Sequence, residues 1–178
     1  MYEKYIKRIL DFVLSLVALI VLSPLLLFLT IVGAFAMKGN PFFTQERPGK
    51  KGKDGKEQIF KLVKFRTMSN KRGPDGELLP DEKRLNAYGQ FLRSTSLDEL
   101  GELWNILVGE ISIVGPRPQL VRDMVFMTEE QRRRHDVRPG LTGVAQISGR
   151  NNITWEQKFE YDLAYIMELH LLVIWRLC

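Results

Sequence analysis

Two adjacent carboxylates are the residues of this sequence best suited to reaction chemistry. Asp98 and Glu99 stand together in the segment RSTSLDELGELWN, which runs from Arg93 to Asn105. An ionised aspartate can attack phosphorus and form an acyl phosphate, or it can bind Mg²⁺ that bridges a diphosphate. Because neighbouring helical residues point about 100° apart, the two carboxylates are expected to take different roles.

Four arginines lie where the chain could use them to hold phosphate. Arg93 stands shortly before the carboxylates, Arg117 lies between two prolines, Arg138 precedes Pro-Gly, and Arg150 follows a glycine. Guanidinium groups on stiff loops are suited to binding phosphate oxygens through paired hydrogen bonds. The alternative for each of these arginines is an ordinary solvated surface position.

The amino-acid composition argues against several other classes of functional site. Only two histidines and one cysteine occur among 178 residues, which argues against a Ser-His-Asp triad, a multi-histidine zinc site or a disulfide framework. From residue 38 to 93 there are 14 Lys and Arg against 7 Asp and Glu. Beside an apolar segment, this basic block indicates membrane phospholipid or a phosphorylated substrate. No nucleic-acid-binding pattern is present, so no nucleic acid partner is predicted.

The carboxylates must be positioned by a helix that begins near them. Ser96 followed by Glu99 has the spacing of a capping box, in which both side chains bond to backbone N–H groups. In that interpretation Glu99 caps the helix, and its carboxylate is not free for chemistry. A helix over residues 97–107 would place its leucines and Trp104 on the core face, with Asp98, Glu102 and Asn105 on the other face.

The apolar N-terminal segment has two interpretations. Residues 12–37 carry no charge over 26 positions, and a helix of that length spans about 39 Å, more than a bilayer core of about 30 Å. A spanning anchor is therefore one possibility. Ser23-Pro24 lies near the middle, where proline bends a helix, and basic residues flank both ends. A re-entrant helix that leaves the membrane on its side of entry fits equally well. Asp11 is placed to pair with Lys7 or Arg8 one turn earlier.

The remaining elements follow from periodicity and turn residues. Residues 40–56 are rich in Gly, Lys and Pro and are expected to form a loop. The alternation over 58–65 predicts a strand or a short amphipathic element, and 111–114 are expected to form a short buried strand. Thr128 with Gln131, and Thr154 with Gln157, predict two further helix starts. The three arginines 132–134 are expected to lie on a solvated or lipid-facing helix surface. The fold class is α+β, mostly helical, with a small β element.

Several motifs together resemble the bacterial sugar transferases, the monotopic phosphoglycosyl transferases. They are KRILD with the Ser-Pro break, FFTQERPG, KLVKFRTM, RSTSLDELGELWNILVGEISIVGPRP, RHDVRPGLTGVAQISGR and WEQKFEYD. The match covers nearly the whole chain. RNNITWEQKFEYD and the short length most resemble the bacillosamine-type enzymes of protein glycosylation, which act on UDP-linked N-acetylated amino sugars.

The resemblance implies a Mg²⁺-dependent, two-step transfer at the cytoplasmic face of the bacterial inner membrane. It assigns Asp98 as the catalytic nucleophile and metal ligand, and Glu99 as an assisting carboxylate. UMP leaves from a UDP-sugar, and undecaprenyl phosphate takes the phosphosugar. Phosphate binding falls to five basic residues: Arg93, Arg117, Arg150, Lys64 and Arg66. The resemblance also favours a re-entrant membrane helix over residues 1–38, followed by a catalytic domain over 39–178 with interfacial amphipathic helices.

The sequence departs from the family pattern at three places. Gly101 stands where proline is usual in DELPQ, and Glu110 where aspartate is common. The closing segment carries His170 and Ile174 and stops at Cys178. Two other functions remain open at this point: a membrane-anchored lipid-surface interaction module without catalysis, and a direct one-step transfer without a covalent intermediate.

Overall fold

The computed structural model describes residues 2–149 and 152–174. Helices predominate and the sheets are small, as the α+β prediction requires. The helices are α1 (Lys7–Val21), α2 (Ser23–Met37), α3 (Asp81–Arg84), α4 (Ala87–Thr95), α5 (Glu102–Val108), α6 (Glu129–Arg132), α7 (Val144–Ile147) and α8 (Trp155–Ile174). The strands are β1 (Phe42–Lys51), β2 (Glu57–Phe65), β3 (Ser112–Val114) and β4 (Gly140–Thr142). The departures at His170, Ile174 and Cys178 lie outside the described side chains.

The apolar N-terminal segment is a bent pair of helices. The axes of α1 and α2 differ by 64°, and the break falls at Leu22, directly before Ser23 and Pro24. Proline in the first turn of α2 cannot donate a backbone hydrogen bond to α1. No single helix in the described part of the chain is long and apolar enough to cross a bilayer, although the bent pair together meets that test.

Each helix of this pair is fastened to the rest of the protein. In α1, the Asp11 carboxylate forms the predicted ion pair with Lys7 (3.5 Å) and accepts a hydrogen bond of 2.6 Å from the Ser112 hydroxyl. In α2, the Tyr88 hydroxyl donates to the Leu29 carbonyl at 2.8 Å. Many apolar side chains on the outer faces of both helices remain exposed. Both helices therefore contact the rest of the protein on either side of the bend, and their outer faces form an exposed apolar surface.

The predicted loop over residues 40–56 is wrong, because most of it forms strand β1. Strand β1 pairs antiparallel with β2, from Phe42 opposite Phe65 to Lys51 opposite Glu57. The predicted strand over residues 58–65 is confirmed. Local Gly, Lys and Pro content concealed β1, whose strand conformation comes from its pairing with β2. Pro48 is tolerated because, among the described residues, β1 pairs with β2 alone, and proline is found on edge strands.

The hairpin supports two buried clusters that also receive the helix pair. One cluster consists of Phe60, Leu62, Leu103, Ile106 and Ile111. The other consists of Leu29, Phe65 and Leu92. Residues on the α1 side of the break pack against the first cluster, and residues on the α2 side pack against the second.

Helix α5 is shorter than predicted, and two residues of its polar face, Glu102 and Asn105, are buried alongside Leu103 and Ile106. Asn105 is 1% exposed, and its side chain accepts from the Val63 amide (2.9 Å) and donates to the Lys61 carbonyl (2.9 Å). Trp104, assigned to the core face, is 56% exposed. The prediction failed because Asn105 satisfies backbone groups of β2, which an apolar side chain in that position would leave unpaired.

The predicted solvated or lipid-facing surface for the arginines 132–134 is confirmed for Arg133, whose side chain is 47% exposed, holds only in part for Arg132 (31%), and is wrong for Arg134 (2%). Arg132 donates to both carboxylate oxygens of Glu57, at 2.9 and 2.7 Å. Arg134 and Asp162 are paired at 2.6 Å, with side chains only 2% and 3% exposed. Burial alone would raise the pKa of Glu57, but hydrogen bonds from Arg132, its own backbone and His135 lower it to about 2. These pairs join helices α6 and α8 to neighbouring parts of the chain.

Three other sequence predictions are confirmed. Thr128 with Gln131, and Thr154 with Gln157, form reciprocal side-chain and backbone hydrogen bonds of 2.9–3.3 Å. The short strand β3 forms and pairs in parallel with β4.

Candidate functional site

Asp98 and Glu99 lie on a tight 3₁₀ turn, Leu97–Gly101, between helices α4 and α5. The predicted capping box at Ser96 is wrong. Ser96 ends α4 in the left-handed conformation (φ 57°, ψ 18°), and its side chain caps no backbone group. The carboxylate of Glu99 is therefore not used as a cap.

The turn is brought close to strand β2 by a glycine. A Cβ atom at Gly101 would lie 2.8 Å from the Val63 carbonyl oxygen and 3.2 Å from the Lys64 Cα atom. The absence of a side chain allows this approach between two backbones. Lys64 thereby reaches the carboxylates. The close approach of the two backbones explains why glycine fits at position 101.

Glu99 gathers two of the predicted phosphate-binding cations. Its Oε1 atom accepts from Lys64 Nζ at 3.0 Å and from a guanidinium nitrogen of Arg117. Lys64 Nζ is also 3.0 Å from the carboxylate of Glu102, which is 2% exposed. Glu102 was expected to be solvated, and the structure instead makes it the buried partner of Lys64.

The two adjacent carboxylates have opposite pKa shifts. Burial raises the pKa of Asp98, with the Glu99 charge adding to the rise and Lys64 opposing it. Burial also acts to raise the pKa of Glu99, but Arg117 and Lys64 outweigh burial and lower it. Environments that separate the pKa values of neighbouring acids indicate different roles. Glu99 is held as an anion that organises cations, and Asp98 faces the cavity as the candidate nucleophile.

A cavity of about 500 Å³ opens in front of Asp98. Its lining contains five cationic side chains and three carboxylates, which favours an anionic ligand. The lining residues are Lys64, Arg93, Ser96, Asp98, Glu99, Arg117, Gln119, Arg134, Ala145, Gln146, Trp155, Lys158 and Asp162. We call this cavity the anion pocket.

Two of the arginines in the pocket are set in place by hydrogen bonds. Arg93 Nε donates to the Thr67 hydroxyl at 3.0 Å. Arg134 donates to the backbone carbonyl of Arg117 at 2.8 Å while its charge is paired with Asp162. The buried Arg134–Asp162 pair therefore holds the backbone from which Arg117 extends.

Lys158 and Asp162, on one face of α8, were missed by the sequence analysis. Lys158 Nζ lies 5.0 Å from the centroid of the Trp155 ring, within the range of a cation–π contact. The three residues follow i, i+3, i+7 spacing, which places them on one helix face. That spacing is present in WEQKFEYD, although the apolar pattern of the same helix does not reveal it.

Three predicted phosphate ligands do not join the site or cannot be placed. Arg66 does not line the anion pocket. Arg138 donates to the Gly109 carbonyl at 3.0 Å and lines a small separate cavity near Lys7. Arg150 lies outside the described residues. The structure thus brings together Lys64, Arg93 and Arg117 with Asp98 and Glu99.

Asp98 and Glu99 could also contribute to a metal site. Within residues 2–149 and 152–174, no group of three or more His, Cys, Asp or Glu side chains could hold a metal by itself. Mg²⁺ in phosphate chemistry commonly uses one or two carboxylates together with substrate phosphates. In the described part of the chain, no Lys or Arg side chain forms an ion pair with Asp98. Asp98 therefore fits a site completed by substrate, and a metal site built from protein alone is not indicated.

Comparison with known proteins decides the family. Residues 2–177 match the bacterial sugar transferase family. The chain belongs to that family. An uncharacterized sugar transferase of Bacillus subtilis, EpsL, is 46% identical over 161 residues, which cover 90% of this chain and 77% of that protein. The exopolysaccharide production protein ExoY of Sinorhizobium fredii is 36% identical, with 93% of this chain and 79% of that protein covered.

Longer relatives of this bacterial sugar transferase carry more specific names. The UDP-glucose:undecaprenyl-phosphate glucose-1-phosphate transferase of Klebsiella pneumoniae is 38% identical over 170 residues. That match covers 90% of this chain but only 36% of that protein. This chain therefore corresponds to about a third of the longer enzyme.

Proposed function

We propose that this bacterial sugar transferase moves a sugar-1-phosphate from a UDP-sugar to undecaprenyl phosphate and releases UMP. The supporting observation is the anion pocket, in which Asp98 faces a space bordered by Lys64, Arg93 and Arg117. A relative named for this transfer with glucose covers the same region of sequence. Such a reaction begins the assembly of a glycoconjugate on a lipid carrier.

The first step is attack by an Asp98 carboxylate oxygen on the sugar-bearing phosphorus. A new O–P bond forms, the bridging P–O bond of the diphosphate breaks, and UMP leaves with the bridging oxygen. Lys64, Arg93 and Arg117 are positioned to stabilise negative charge on the phosphate oxygens. Glu99 keeps Lys64 and Arg117 in place. Its lowered pKa makes it a weak base, so we assign it positioning rather than proton transfer.

The second step regenerates the enzyme. A phosphate oxygen of undecaprenyl phosphate attacks the same phosphorus, and the Asp98–phosphorus bond breaks. The product is an undecaprenyl diphosphate sugar, and Asp98 returns to the carboxylate. Both phosphorylated substrates use the same cations in turn, which accounts for one pocket serving a soluble donor and a lipid acceptor.

Mg²⁺ is the proposed cofactor, with Asp98 as its protein ligand. When bound, it supplies positive charge to the diphosphate oxygens. The requirement is measured directly: UMP release with EDTA is expected to fall and to recover on addition of Mg²⁺.

The donor is expected to carry an N-acetylated amino sugar, as in the bacillosamine-type enzymes. Relatives are named for glucose and for galactose transfer, so hexose donors belong in the same test. A panel of UDP-sugars assayed for UMP release discriminates the two groups. The donor that gives the highest kcat/KM identifies the substrate class.

We further propose that α1 and α2 form a re-entrant membrane element at the cytoplasmic face of the inner membrane. The support is the 64° bend together with a contact from each helix to the same body, Asp11 to Ser112 and Leu29 to Tyr88. Cysteines introduced near residue 2 and at Lys51, in a Cys178→Ser background, are expected to react with an impermeant reagent from the same side. Labelling from opposite sides would establish a spanning helix.

The covalent intermediate has its own test. Wild-type protein incubated with UDP-sugar and Mg²⁺, without acceptor, is expected to release UMP and to gain one phosphosugar on Asp98 by mass spectrometry. Asp98→Asn is expected to do neither, and Asp123→Asn, a carboxylate outside the anion pocket, serves as control. UMP release without an adduct would mean hydrolysis of the donor, and UMP release only when undecaprenyl phosphate is added would mean direct one-step transfer. No UMP from folded protein with any UDP-sugar, with or without undecaprenyl phosphate, would favour the lipid-surface module.

A further inference from the structure

A second cavity opens from the anion pocket, and three leucines form most of the lining that the two cavities do not share. Its volume is about 250 Å³, and the residues that it shares with the anion pocket are Ser96, Glu99, Arg117 and Gln146. The rest of its lining is Leu100, Leu103, Leu141 and Thr142. We call this cavity the leucine groove. Among the described residues it contains no charged side chain beyond the two that it shares, so it joins a cationic pocket to an apolar surface.

The leucines of this groove connect the pocket to the break in the helix pair. Leu100 and Leu141 pack against the buried cluster that includes Leu103. Leu19 and Leu22, at the end of α1, pack against the same cluster. Leu100 also packs against the second cluster, together with residues that follow the break. The groove thus lies beside the proposed membrane element.

A different groove borders the anion pocket and is less suitable for an apolar chain. It has a volume of about 390 Å³ and shares only Trp155 with the anion pocket. Its lining includes Phe126 and Met127 but also the carboxylates of Asp123 and Glu156. Placing hydrocarbon against carboxylates with no cation in the described lining of the groove displaces their water without replacing it, which is unfavourable. The one carboxylate of the leucine groove, Glu99, is instead paired with Lys64 and Arg117.

We propose that the leucine groove binds the phosphate-proximal isoprene units of the lipid acceptor, with the acceptor phosphate at Arg117. This inference rests on the proposed transfer to a polyprenyl phosphate. The acceptor combines an anionic phosphate with an apolar chain. The leucine groove has Arg117 where it meets the anion pocket and leucine side chains beyond it, so each part of the acceptor has a matching surface. The groove serves only the second step, because the UDP-sugar carries no apolar chain.

The test separates the two half-reactions. Leu141→Asn, which keeps the size of the side chain but makes it polar, is expected to raise the KM for undecaprenyl phosphate about tenfold, the scale of a lost contact in an apolar pocket. The burst of UMP released without acceptor is expected to stay within about twofold of wild type, because the transition state of the first step makes no contact with the leucine groove. Met127→Gln, in the other groove, is the matched control and is expected to change neither quantity.

A second variant keeps the test valid if Leu141→Asn folds poorly. Thr142→Val removes a hydroxyl from the groove at nearly constant size and is expected to lower the KM for undecaprenyl phosphate about threefold. An unchanged KM in Thr142→Val, or a rise in KM from Met127→Gln, overturns the assignment while leaving the transfer itself intact. A wild-type protein that releases no UMP overturns the transfer and, with it, this inference.

Discussion

Replacing Lys64 with methionine would isolate the buried carboxylate of Glu102. In the described part of the chain, Lys64 is the only Lys or Arg within 4.0 Å of that carboxylate, whose side chain is 3% exposed. Glu99 would keep Arg117 as its partner. The structural effect of Lys64→Met is therefore concentrated on Glu102, which must then fold as the neutral acid because an unpaired buried carboxylate is strongly disfavoured.

The size of this effect follows from proton linkage. The ordinary pKa of a glutamate is 4.5, and keeping it protonated at pH 7 costs about 1.4 kcal/mol per pH unit, or about 3 kcal/mol. Broken buried ion pairs destabilise by about 3–5 kcal/mol. Burial already raises the pKa of Glu102, and Lys64 opposes the rise. A raised folded-state pKa lowers stability as pH increases, so the difference between Lys64→Met and wild type should shrink from pH 7 towards pH 4.5.

Denaturant unfolding at pH 7 and pH 5, in the same detergent, measures this difference. The double variant Lys64→Met/Glu102→Gln is expected to recover most of the lost stability at pH 7. It should not recover UMP release, because Lys64, one of the cations that border Asp98, is still missing. A destabilisation that is equal at both pH values, or a double variant no more stable than Lys64→Met, would show that Glu102 is not the source of the effect.

Three further predictions concern the supports of the site. Gly101→Ala should lower kcat at least tenfold and reduce the melting temperature, since its Cβ atom would lie 2.8 Å from a backbone oxygen; Gly39→Ala, with open space around it, should do neither. Thr67→Val should raise the KM for UDP-sugar about tenfold by releasing Arg93, and Thr67→Ser should restore it. Because the folded-state pKa of Glu57 is about 2, wild-type stability should fall as pH decreases from about 4.5 towards 2. Glu57→Gln, followed by acid titration of unfolding, should lack this pH dependence.

The residues that could be predicted from sequence are those whose neighbours along the chain determine their environment. The break at Pro24, the strand over residues 58–65 and the two reciprocal caps depend on local geometry, and each is present. Strand β1 and the burial of Asn105 were missed because both depend on pairing with β2, up to 44 residues away for the Asn105 side chain. Local composition cannot predict a pairing partner that is distant in sequence.

The same distinction explains the two carboxylates of the site. Their types and adjacency identified a candidate for phosphorus chemistry, but adjacency alone allowed Glu99 to be either a helix cap or an assisting group. Its role is decided by Lys64 and Arg117, which are 35 and 18 residues away in sequence. With those cations on Glu99 and none paired to Asp98 in the described part of the chain, one carboxylate holds the charges that receive phosphate. The other keeps its oxygens available for the reaction. A substrate phosphate that enters the pocket can share Lys64 and Arg117 with Glu99, so the cations are already in place before the substrate arrives, and little reorganisation is needed when charge develops.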